Sequence, residues 1–328
     1  MARSTTNPEQ PQVRLRLGPV LREIATLAGT LLGGLLLTAL IVFGPRLLLA
    51  SAPLAGTGAR DLVGWAELRE YLGVVGSYLQ GLLGGSLGVD RRGAPVARTL
   101  LPAARRSLEL LGVGLAVALP LGVAWGVLLA NARRSLPRAL LFGLNTLLNS
   151  LPSFVVMLLA IEGVATLTLR TGIQLTYVQG YGLDRHLLLP AGVLALRGAA
   201  YLARAVQVGQ EEIMQQDWIR AARARGLGGL SLWRRHVLPA LRLPLLGGTL
   251  GMLRVLVGGS VIVDYLYNWN GLGSQMLRAA TGLSARFGND QLTAGAVVLL
   301  VLLFAALDAL GRVALRGADP RLRQGVGE

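Results

Sequence analysis

The sequence has no cysteine and no lysine, and it contains two histidines in 328 residues. Without cysteine there is no disulfide framework, thiolate nucleophile or cysteine-based zinc or iron–sulfur site, and cysteine usage says nothing about the redox compartment. Without lysine there is no P-loop lysine and no Schiff-base lysine, so the chain does not bind ATP through a Walker A motif of its own. Two histidines also argue against a dedicated histidine metal site.

Charged residues are scarce as well, at 15% of the chain against about 25% in an ordinary soluble domain, whereas 53% of residues are hydrophobic and the mean hydropathy is +0.55. A bilayer core about 30 Å thick requires roughly 20 apolar residues of helix. Six segments meet this requirement: 24–44, 108–130, 140–166, 187–208, 243–263 and 292–315. The sequence therefore predicts an all-α, polytopic membrane protein with six transmembrane helices, the first of them retained rather than cleaved as a signal peptide.

The distribution of arginine predicts the orientation. The side that holds both termini carries 18 Arg and the other side carries 12, so both termini are expected in the cytoplasm. These charges lie at the ends of spans rather than in one patch with aromatic residues, so topology explains the net charge of +15 and no nucleic-acid partner is expected. The expected organisation is a cytoplasmic N-terminus (1–23), a first transmembrane helix (24–44), an extracytoplasmic segment (45–104), a core of five spans (105–316) with a cytoplasmic loop (209–239), and a cytoplasmic tail (317–328).

The loop between the fourth and fifth predicted spans contains a short helix with both of its ends marked. Asp217 is a favourable N-cap residue, an alanine-rich run follows, and Gly226 suits the left-handed position just after a helix. A helix of about 9 residues, near 13 Å long, is marginal alone in water, so it must pack on the protein or on a partner. Its key residues are Asp217, Arg220, Ala221, Ala222, Arg223, Arg225 and Gly226.

The segment that follows the fifth predicted span combines aromatic residues with glycines. Trp269, with the tyrosines before it, matches an interfacial aromatic belt, and Gly271 and Gly273 indicate a turn back toward the membrane. The sequence therefore predicts an extracytoplasmic turn or re-entrant element near the mouth of a pathway.

Two arginines, Arg197 and Arg254, lie inside predicted spans. A charge at the centre of the bilayer costs on the order of 3 kcal/mol on insertion scales, so each must face a cavity or a polar partner. Two roles remain open from the sequence: these arginines line the pathway, or they form structural pairs with Asp308 or with a backbone carbonyl.

Residues 84–88 satisfy the pattern GxSxG of serine hydrolases, which also occurs in six-span intramembrane proteases. Ser86 as a nucleophile is thus an alternative of a different class. The hydrolase motif needs a strand before it and a helix after it, whereas leucines and glycines flank Ser86. His236 is expected on the opposite face of the membrane, and His186 lies at the entry to a span, so this alternative is disfavoured.

The loop sequence from Gln216 to Leu227, QDWIRAARARGL, followed by Arg235-His236-Val237-Leu238 and by Pro244, resembles the cytoplasmic EAA loop of permease subunits of bacterial ABC importers. The version is that of the dipeptide, oligopeptide and nickel branch. The resemblance covers about residues 65 to 323 and extends to Ser153, to residues 186–190, to the turn at Trp269 and to residues 319–321. Departures include Pro239, and Asn270 where the family has proline.

This resemblance implies the core fold of type I importer permeases such as MetI, in the bacterial inner membrane. It implies a second permease subunit, a paralogue, two ATPase subunits that bind ATP and magnesium, and an extracytoplasmic solute-binding protein. The chain itself would bind no cofactor or metal and would have no catalytic site. The short helix ending at Gly226 would couple it to the ATPase subunits, and the cargo would be a peptide or similar small polar solute, with a nickel or metal chelate as the alternative.

Overall fold

The computed structural model describes residues 65–90, 92–132, 135–281 and 290–318, together with some separate residues between Ala25 and Val42. In chain order the helices are α1 (Trp65–Leu83), α2 (Ala97–Asn131), α3 (Ser135–Ser150), α4 (Ser153–Thr171), α5 (Arg185–Met214), α6 (Asp217–Ala224), α7 (Gly229–Leu232), α8 (Leu238–Ala240), α9 (Arg242–Leu266), α10 (Leu272–Thr281) and α11 (Asp290–Ala318). A π-helical stretch, Trp233–Val237, joins α7 to α8. The predicted all-α class is confirmed.

Five of these helices are long and apolar enough to cross a membrane: α2, α4, α5, α9 and residues 291–315 of α11. The first predicted span, 24–44, falls mostly outside the described residues, although residues 32–36 within it are helical. The helices of the core extend beyond the predicted apolar segments at their ends. In particular α5 continues to Met214, so the loop that was expected to begin at residue 209 begins at residue 215.

The prediction of one continuous third span over 140–166 is wrong, because the chain breaks there into two helices. α3 ends at Ser150 and α4 begins at Ser153, with Leu151 and Pro152 between them. Proline has no N–H to donate, its ring clashes with the carbonyl four residues earlier, and it pushes the preceding residue toward an extended backbone. Of the two helices, α4 alone has the length and hydropathy of a span.

The core forms around α5, which packs against α2 on one side and α9 on another. Small residues allow the close approach of these helices. A Cβ at Gly126 of α2 would lie 2.6 Å from the carbonyl oxygen of Ala203 in α5. A Cβ at Gly251 of α9 would lie 2.3 Å from the hydroxyl of Tyr201, also in α5.

The bundle has two ends that differ in their elements. At one end, residues 106–107 of α2 and residues 180–181, just before α5, meet the last turn of α9 and the start of α10, and we call this the turn end. At the other end, the last turns of α5 lie against α6 and the start of α9, the last turns of α2 lie near Trp233, and we call this the α6 end. The two sites predicted from sequence therefore lie at opposite ends of the molecule.

Candidate functional site

The N-cap residue of α6 lies one position earlier in the chain than the sequence predicts. Gln216 has the extended backbone of an N-cap residue, and Asp217 is the first residue of the helix. The prediction of Asp217 as the N-cap is therefore wrong. An acidic residue in the first turn still interacts favourably with the helix dipole. The Oδ1 atom of Asp217 also accepts a hydrogen bond from Arg220 at 3.1 Å.

The end of α6 has the geometry predicted for Gly226. Gly226 adopts a φ of 82°, in the left-handed region. Its N–H donates to the carbonyl of Arg223 at 2.9 Å, and the N–H of Leu227 donates to the carbonyl of Ala222 at 3.2 Å. This pair of bonds is a Schellman motif, which satisfies two of the last carbonyls of the helix. Glycine is favoured here because any residue with a Cβ is strained in this conformation.

The two faces of α6 differ in burial. Ile219 and Ala222, three residues apart on one face, are buried in the core cluster that also contains Val237 and Leu241. The rest of α6 is exposed and includes Arg220 and Arg223, and Arg225 is exposed just after the helix. Among the described residues Arg225 forms no ion pair. The buried side thus holds α6 on the bundle, while its arginines are exposed to the surroundings.

Trp269 was expected at the membrane interface, but the structure buries it completely. Its indole N–H donates to the carbonyl oxygen of Arg106 in α2 at 2.9 Å, and its ring meets the ring of Tyr181 edge-on with 5.0 Å between centroids. The interpretation of Trp269 as a belt residue is therefore wrong. The turn at residues 267–273, which we call the tryptophan turn, is instead folded into the end of the bundle.

The tryptophan turn is held by Asp264, a buried acid in the last turn of α9. One oxygen of its carboxylate, Oδ2, accepts hydrogen bonds from the Ser107 hydroxyl at 2.8 Å and from the Gly273 N–H at 3.1 Å. The Ser107 hydroxyl in turn accepts from the N–H of Leu272 at 2.8 Å. The backbone carbonyl of Asp264 accepts from the Ser274 hydroxyl at 2.6 Å. The network joins α2, α9 and α10.

The glycines of the tryptophan turn are needed for close packing rather than for a left-handed backbone. The residues with positive φ are Asn268, at 53°, and Asn270, at 61°. A Cβ at Gly271 would lie 2.2 Å from Oδ2 of Asp264, and one at Gly273 would lie 2.4 Å from the Val261 carbonyl oxygen. The turn predicted at Gly271 and Gly273 therefore exists, but for a different physical reason.

A second layer of polar contacts covers the tryptophan turn. Arg106 donates to the carbonyl of Asn270 at 3.3 Å, and its guanidinium lies 4.7 Å from the centre of the Tyr181 ring. The Tyr181 hydroxyl donates to Glu109 at 2.8 Å, and this hydrogen bond raises the pKa of Tyr181. Backbone pairing extends the layer, because Gly180 donates to the carbonyl of Tyr267 at 2.9 Å.

Arg197 compensates for the break between α3 and α4. Its Nη1 group donates to the carbonyls of Leu148, at 3.1 Å, and Leu151, at 2.7 Å. In a continuous helix the Leu148 carbonyl would accept from the N–H of residue 152, which is proline and has none. The Arg197 guanidinium supplies the missing donor. The sequence left two roles open for Arg197, lining of the pathway and a structural pair. The observed contacts are those of a structural pair with backbone carbonyls.

Arg254 has a different partner on a different helix. Its guanidinium contacts the carboxylate of Asp308 in α11, which also contacts Arg312 one turn further along. The three groups therefore form one ion-pair cluster between α9 and α11. The two arginines found by their position in predicted spans are not brought together by the structure, and each has its own structural contacts.

The surroundings of Ser86 differ from those of an activated nucleophile. Its hydroxyl accepts a hydrogen bond from the N–H of Gly88 at 3.2 Å. His186 contacts Asp184 at 2.7 Å and stacks on Tyr177, with 4.2 Å between ring centroids. Asp184 caps α5, and its carboxylate accepts a hydrogen bond from the backbone N–H of His186. This hydrogen bond lowers the pKa of Asp184. In the described part of the chain, the polar contacts of Ser86 and His186 are thus local.

Sequence reasoning missed the residues that hold the tryptophan turn, namely Ser107, Arg106 and Asp264. The available signal was an acid at the end of an apolar span, five residues before the tryptophan. Ser107 gave none, because its partners are more than 150 residues away in the chain. In the described residues no cluster of three or more metal-ligating side chains occurs.

The fold and the two ends define a class, that of polytopic helical membrane proteins with a short amphipathic helix at one end. Comparison with known proteins agrees. Residues 122–324 match the family model described as binding-protein-dependent transport system inner membrane component. A putative peptide permease protein of Brucella ovis is 31% identical over 264 residues, which are 77% of this chain and 79% of the relative. The oligopeptide transport system permease protein OppB of Mycobacterium tuberculosis is 34% identical over 254 residues, covering 70% and 77%.

Among solved structures, an inward-facing conformation of the MetNI methionine ABC transporter superimposes with a TM-score of 0.53 and 22% identity, covering 67% of this chain and 96% of that one. This likeness shows the fold. The chain therefore belongs to the family of binding-protein-dependent transport system inner membrane components, and it is a multi-pass permease subunit of an ABC importer. The family implies ATPase and substrate-binding partners.

Proposed function

We propose that α6 is the coupling helix of this permease and that it sits in a groove of a separate ATPase subunit. The observation that carries the proposal is the division of α6 into two faces. Ile219 and Ala222 fix one side of α6 to the core, while Arg220, Arg223 and, just after the helix, Arg225 remain exposed. A helix of 8 residues held in this way moves with the bundle and presents a basic surface.

The orientation follows from this assignment. The α6 end and both termini lie in the cytoplasm, where ATP is available, and the turn end faces outward. ATP and magnesium bind to the ATPase subunits, and this chain binds no cofactor and has no catalytic site. When ATP closes the ATPase dimer, the coupling helices move with it and shift the permeases toward the outward-open state.

The cargo that we propose is a peptide or a similar small polar solute. The support comes from the relatives, which are named as a putative peptide permease and an oligopeptide transport permease and are each about one-third identical to this chain. The second permease subunit is a paralogue that completes the pathway, and an extracytoplasmic binding protein delivers the cargo to the turn end. Purification of the complex with its binding protein, followed by mass spectrometry of the released ligand, tests this cargo. A nickel or metal chelate in place of peptides would overturn it.

A crosslinking experiment tests the docking of α6, and the absence of cysteine from the chain makes it simple. Ala221→Cys places a thiol on the exposed side of α6, and Trp65→Cys places one on an exposed residue at the start of α1, in the segment expected to be extracytoplasmic. In the assembled complex, a short bifunctional reagent is expected to join Ala221→Cys to an ATPase subunit and to leave Trp65→Cys unlinked to it. Equal crosslinking of both positions, or none from Ala221→Cys, would contradict the proposal.

Orientation is tested by labelling with a membrane-impermeant maleimide in intact cells. Ser231→Cys is exposed at the α6 end. It is expected to react after the membrane is permeabilised and to stay unlabelled before. Labelling of Ser231→Cys in intact cells would reverse the proposed topology.

A further inference from the structure

The α1 helix is charged in its first part and uncharged in the rest. Its first two turns carry three charged residues, Glu67, Arg69 and Glu70, whereas residues 71–83 contain none. The sequence of these 13 residues is YLGVVGSYLQGLL. Such a segment is unusual for an element placed wholly in water, because its exposed residues include Leu72 and Leu83.

One face of α1 packs against membrane-spanning helices. Tyr78 is buried together with Ala294 and Val298 of α11, and Val75 and Leu35 pack against the same cluster. Leu35 belongs to the first predicted span. The uncharged half of α1 therefore packs on α11, which is long and apolar enough to cross a membrane, and on Leu35 of the first predicted span.

The depth of the α1 tip follows from its neighbours. A Cβ at Gly34, midway through the predicted span 24–44, would lie 2.5 Å from Cγ1 of Val301, near the middle of the span in α11. Leu79 and Leu83 line one cavity together with these two residues. Ten residues of helix, from 292 to 302, rise about 15 Å, half of a bilayer core about 30 Å thick. The tip of α1 thus reaches the level of the middle of the bilayer.

The chain after α1 turns back in a way that suits an apolar medium, where every backbone donor needs a partner. In the turn at residues 84–88, Gly84 donates to Gln80, Gly85 to Leu82, and Ser86 to Gly81. The hydroxyl of Ser86 accepts from the N–H of Gly88. Four of the five backbone donors of the GxSxG segment, at Gly84, Gly85, Ser86 and Gly88, therefore have partners within residues 80–88.

The cavity at the tip of α1 has a volume of about 440 Å³ and opens onto the surface formed by Leu32, Leu83 and Leu302, which are exposed. Apart from Thr38, its lining consists of apolar residues and glycines, and the Thr38 hydroxyl donates to the Gly34 carbonyl. An apolar cavity of roughly 150 Å³ lined by aliphatic residues stays dry and takes up hydrocarbon. A larger cavity of this lining, open to the membrane, is suited to the same kind of occupant.

We propose that residues 71–87 form a re-entrant helix and turn within the outer leaflet, and that an acyl chain of a membrane phospholipid occupies the cavity beside Leu79 and Leu83. The occupant is assigned by continuity, because the mouth of the cavity is part of the surface that the spanning helices present to lipid. The extracytoplasmic segment expected at 45–104 is thereby divided, with its second half placed at membrane depth.

Depth is tested in vesicles that contain the complete transporter. Leu83→Cys is expected to react with a water-soluble maleimide at least about tenfold more slowly than Arg92→Cys, an exposed position in the following turn, because a thiol in hydrocarbon stays protonated. Detergent is expected to remove the difference. Equal rates before detergent would overturn the re-entrant placement.

Occupancy is tested with a phosphatidylethanolamine that carries a photoreactive diazirine midway along one acyl chain. We expect crosslinks at Leu79, Leu83 or Leu302, and a several-fold loss of them in Leu79→Trp, which fills the cavity. The matched control is Leu72→Trp, on the same helix but outside the cavity lining, which should leave crosslinking unchanged. Slow maleimide labelling without acyl crosslinks would mean that a protein subunit covers the cavity, and it would overturn the lipid assignment.

Discussion

The two ends of the permease hold their polar groups in opposite ways. At the turn end, Asp264, Ser107 and Trp269 are buried. The partners of their hydrogen bonds belong to other helices of the same chain. At the α6 end, Asp217 and Arg220 form an exposed contact with side chains that are 94% and 70% accessible. One end buries its polar groups within the chain, whereas the other leaves its charged groups exposed. This difference is why we propose the α6 end as the end that binds the ATPase subunit.

The sharpest way to test the comparison is to remove an aspartate at each end. Asp264→Ala leaves the Ser107 hydroxyl and the Gly273 N–H buried without an acceptor, at a cost of about 1–3 kcal/mol for each donor. Asp217→Ala removes an exposed contact and is expected to change stability by no more than about 0.5 kcal/mol. Thermal unfolding of the two purified variants measures the contrast. Equal losses of stability would remove the distinction between the ends.

The helix break between α3 and α4 extends the comparison to a half-buried charge, Arg197. Arg197→Met leaves the carbonyls of Leu148 and Leu151 without their donor and is expected to cost about 1.5–3 kcal/mol. Arg197→Lys keeps a donor and a charge but not the forked geometry, so it should recover part of that loss. Thermal unfolding gives the size of both effects. If Arg197→Met unfolds like wild type yet abolishes uptake, the arginine lines the pathway instead.

A smaller contrast comes from one tryptophan at each end, Trp269 at the turn end and Trp218 at the α6 end. Trp269→Phe keeps the aromatic ring but loses the hydrogen bond to the Arg106 carbonyl, at a cost of about 1 kcal/mol. Trp218→Phe, on the exposed side of α6, should leave stability unchanged and instead weaken ATPase attachment. Unfolding and copurification of the ATPase subunits are measured on both variants. Loss of attachment in Trp269→Phe alone would reverse the roles of the two ends.

Much of the α6 end could be predicted from sequence because its determinants are local. Gly226, the alanines before it and the exposed arginines lie within a few residues of one another, and helix capping rules apply to them directly. The error of one residue at Asp217 is of the size expected at a helix end. The position of α6 on the core, through Ile219 and Ala222, required the folded structure.

The turn end could be located from sequence but not explained. The aromatic and glycine residues predicted a turn, yet the burial of Trp269 depends on Arg106, which is 163 residues away in the chain. The packing role of Gly271 depends on Asp264 and Ser107 in other helices. The break at Pro152 was missed because hydropathy is continuous across it, and its donor Arg197 lies on another helix.

The coupling role of α6 is tested most directly by Gly226→Val, with Gly228→Val as the matched control. Gly226 is left-handed, so a β-branched residue there costs about 1–2 kcal/mol, whereas Gly228 is extended and accepts valine without strain. Space is not a factor, since a Cβ at either position would contact nothing within 4 Å. Both variants should insert and assemble with the second permease.

The measurement is substrate-stimulated ATP hydrolysis together with uptake in vesicles that contain the complete transporter. We expect Gly228→Val to behave like wild type, and Gly226→Val to lose ATPase attachment or to hydrolyse ATP without substrate stimulation and without uptake. Wild-type stimulation and uptake in Gly226→Val would contradict the account, because α6 would then be a connector between two spans and not the link to the ATPase.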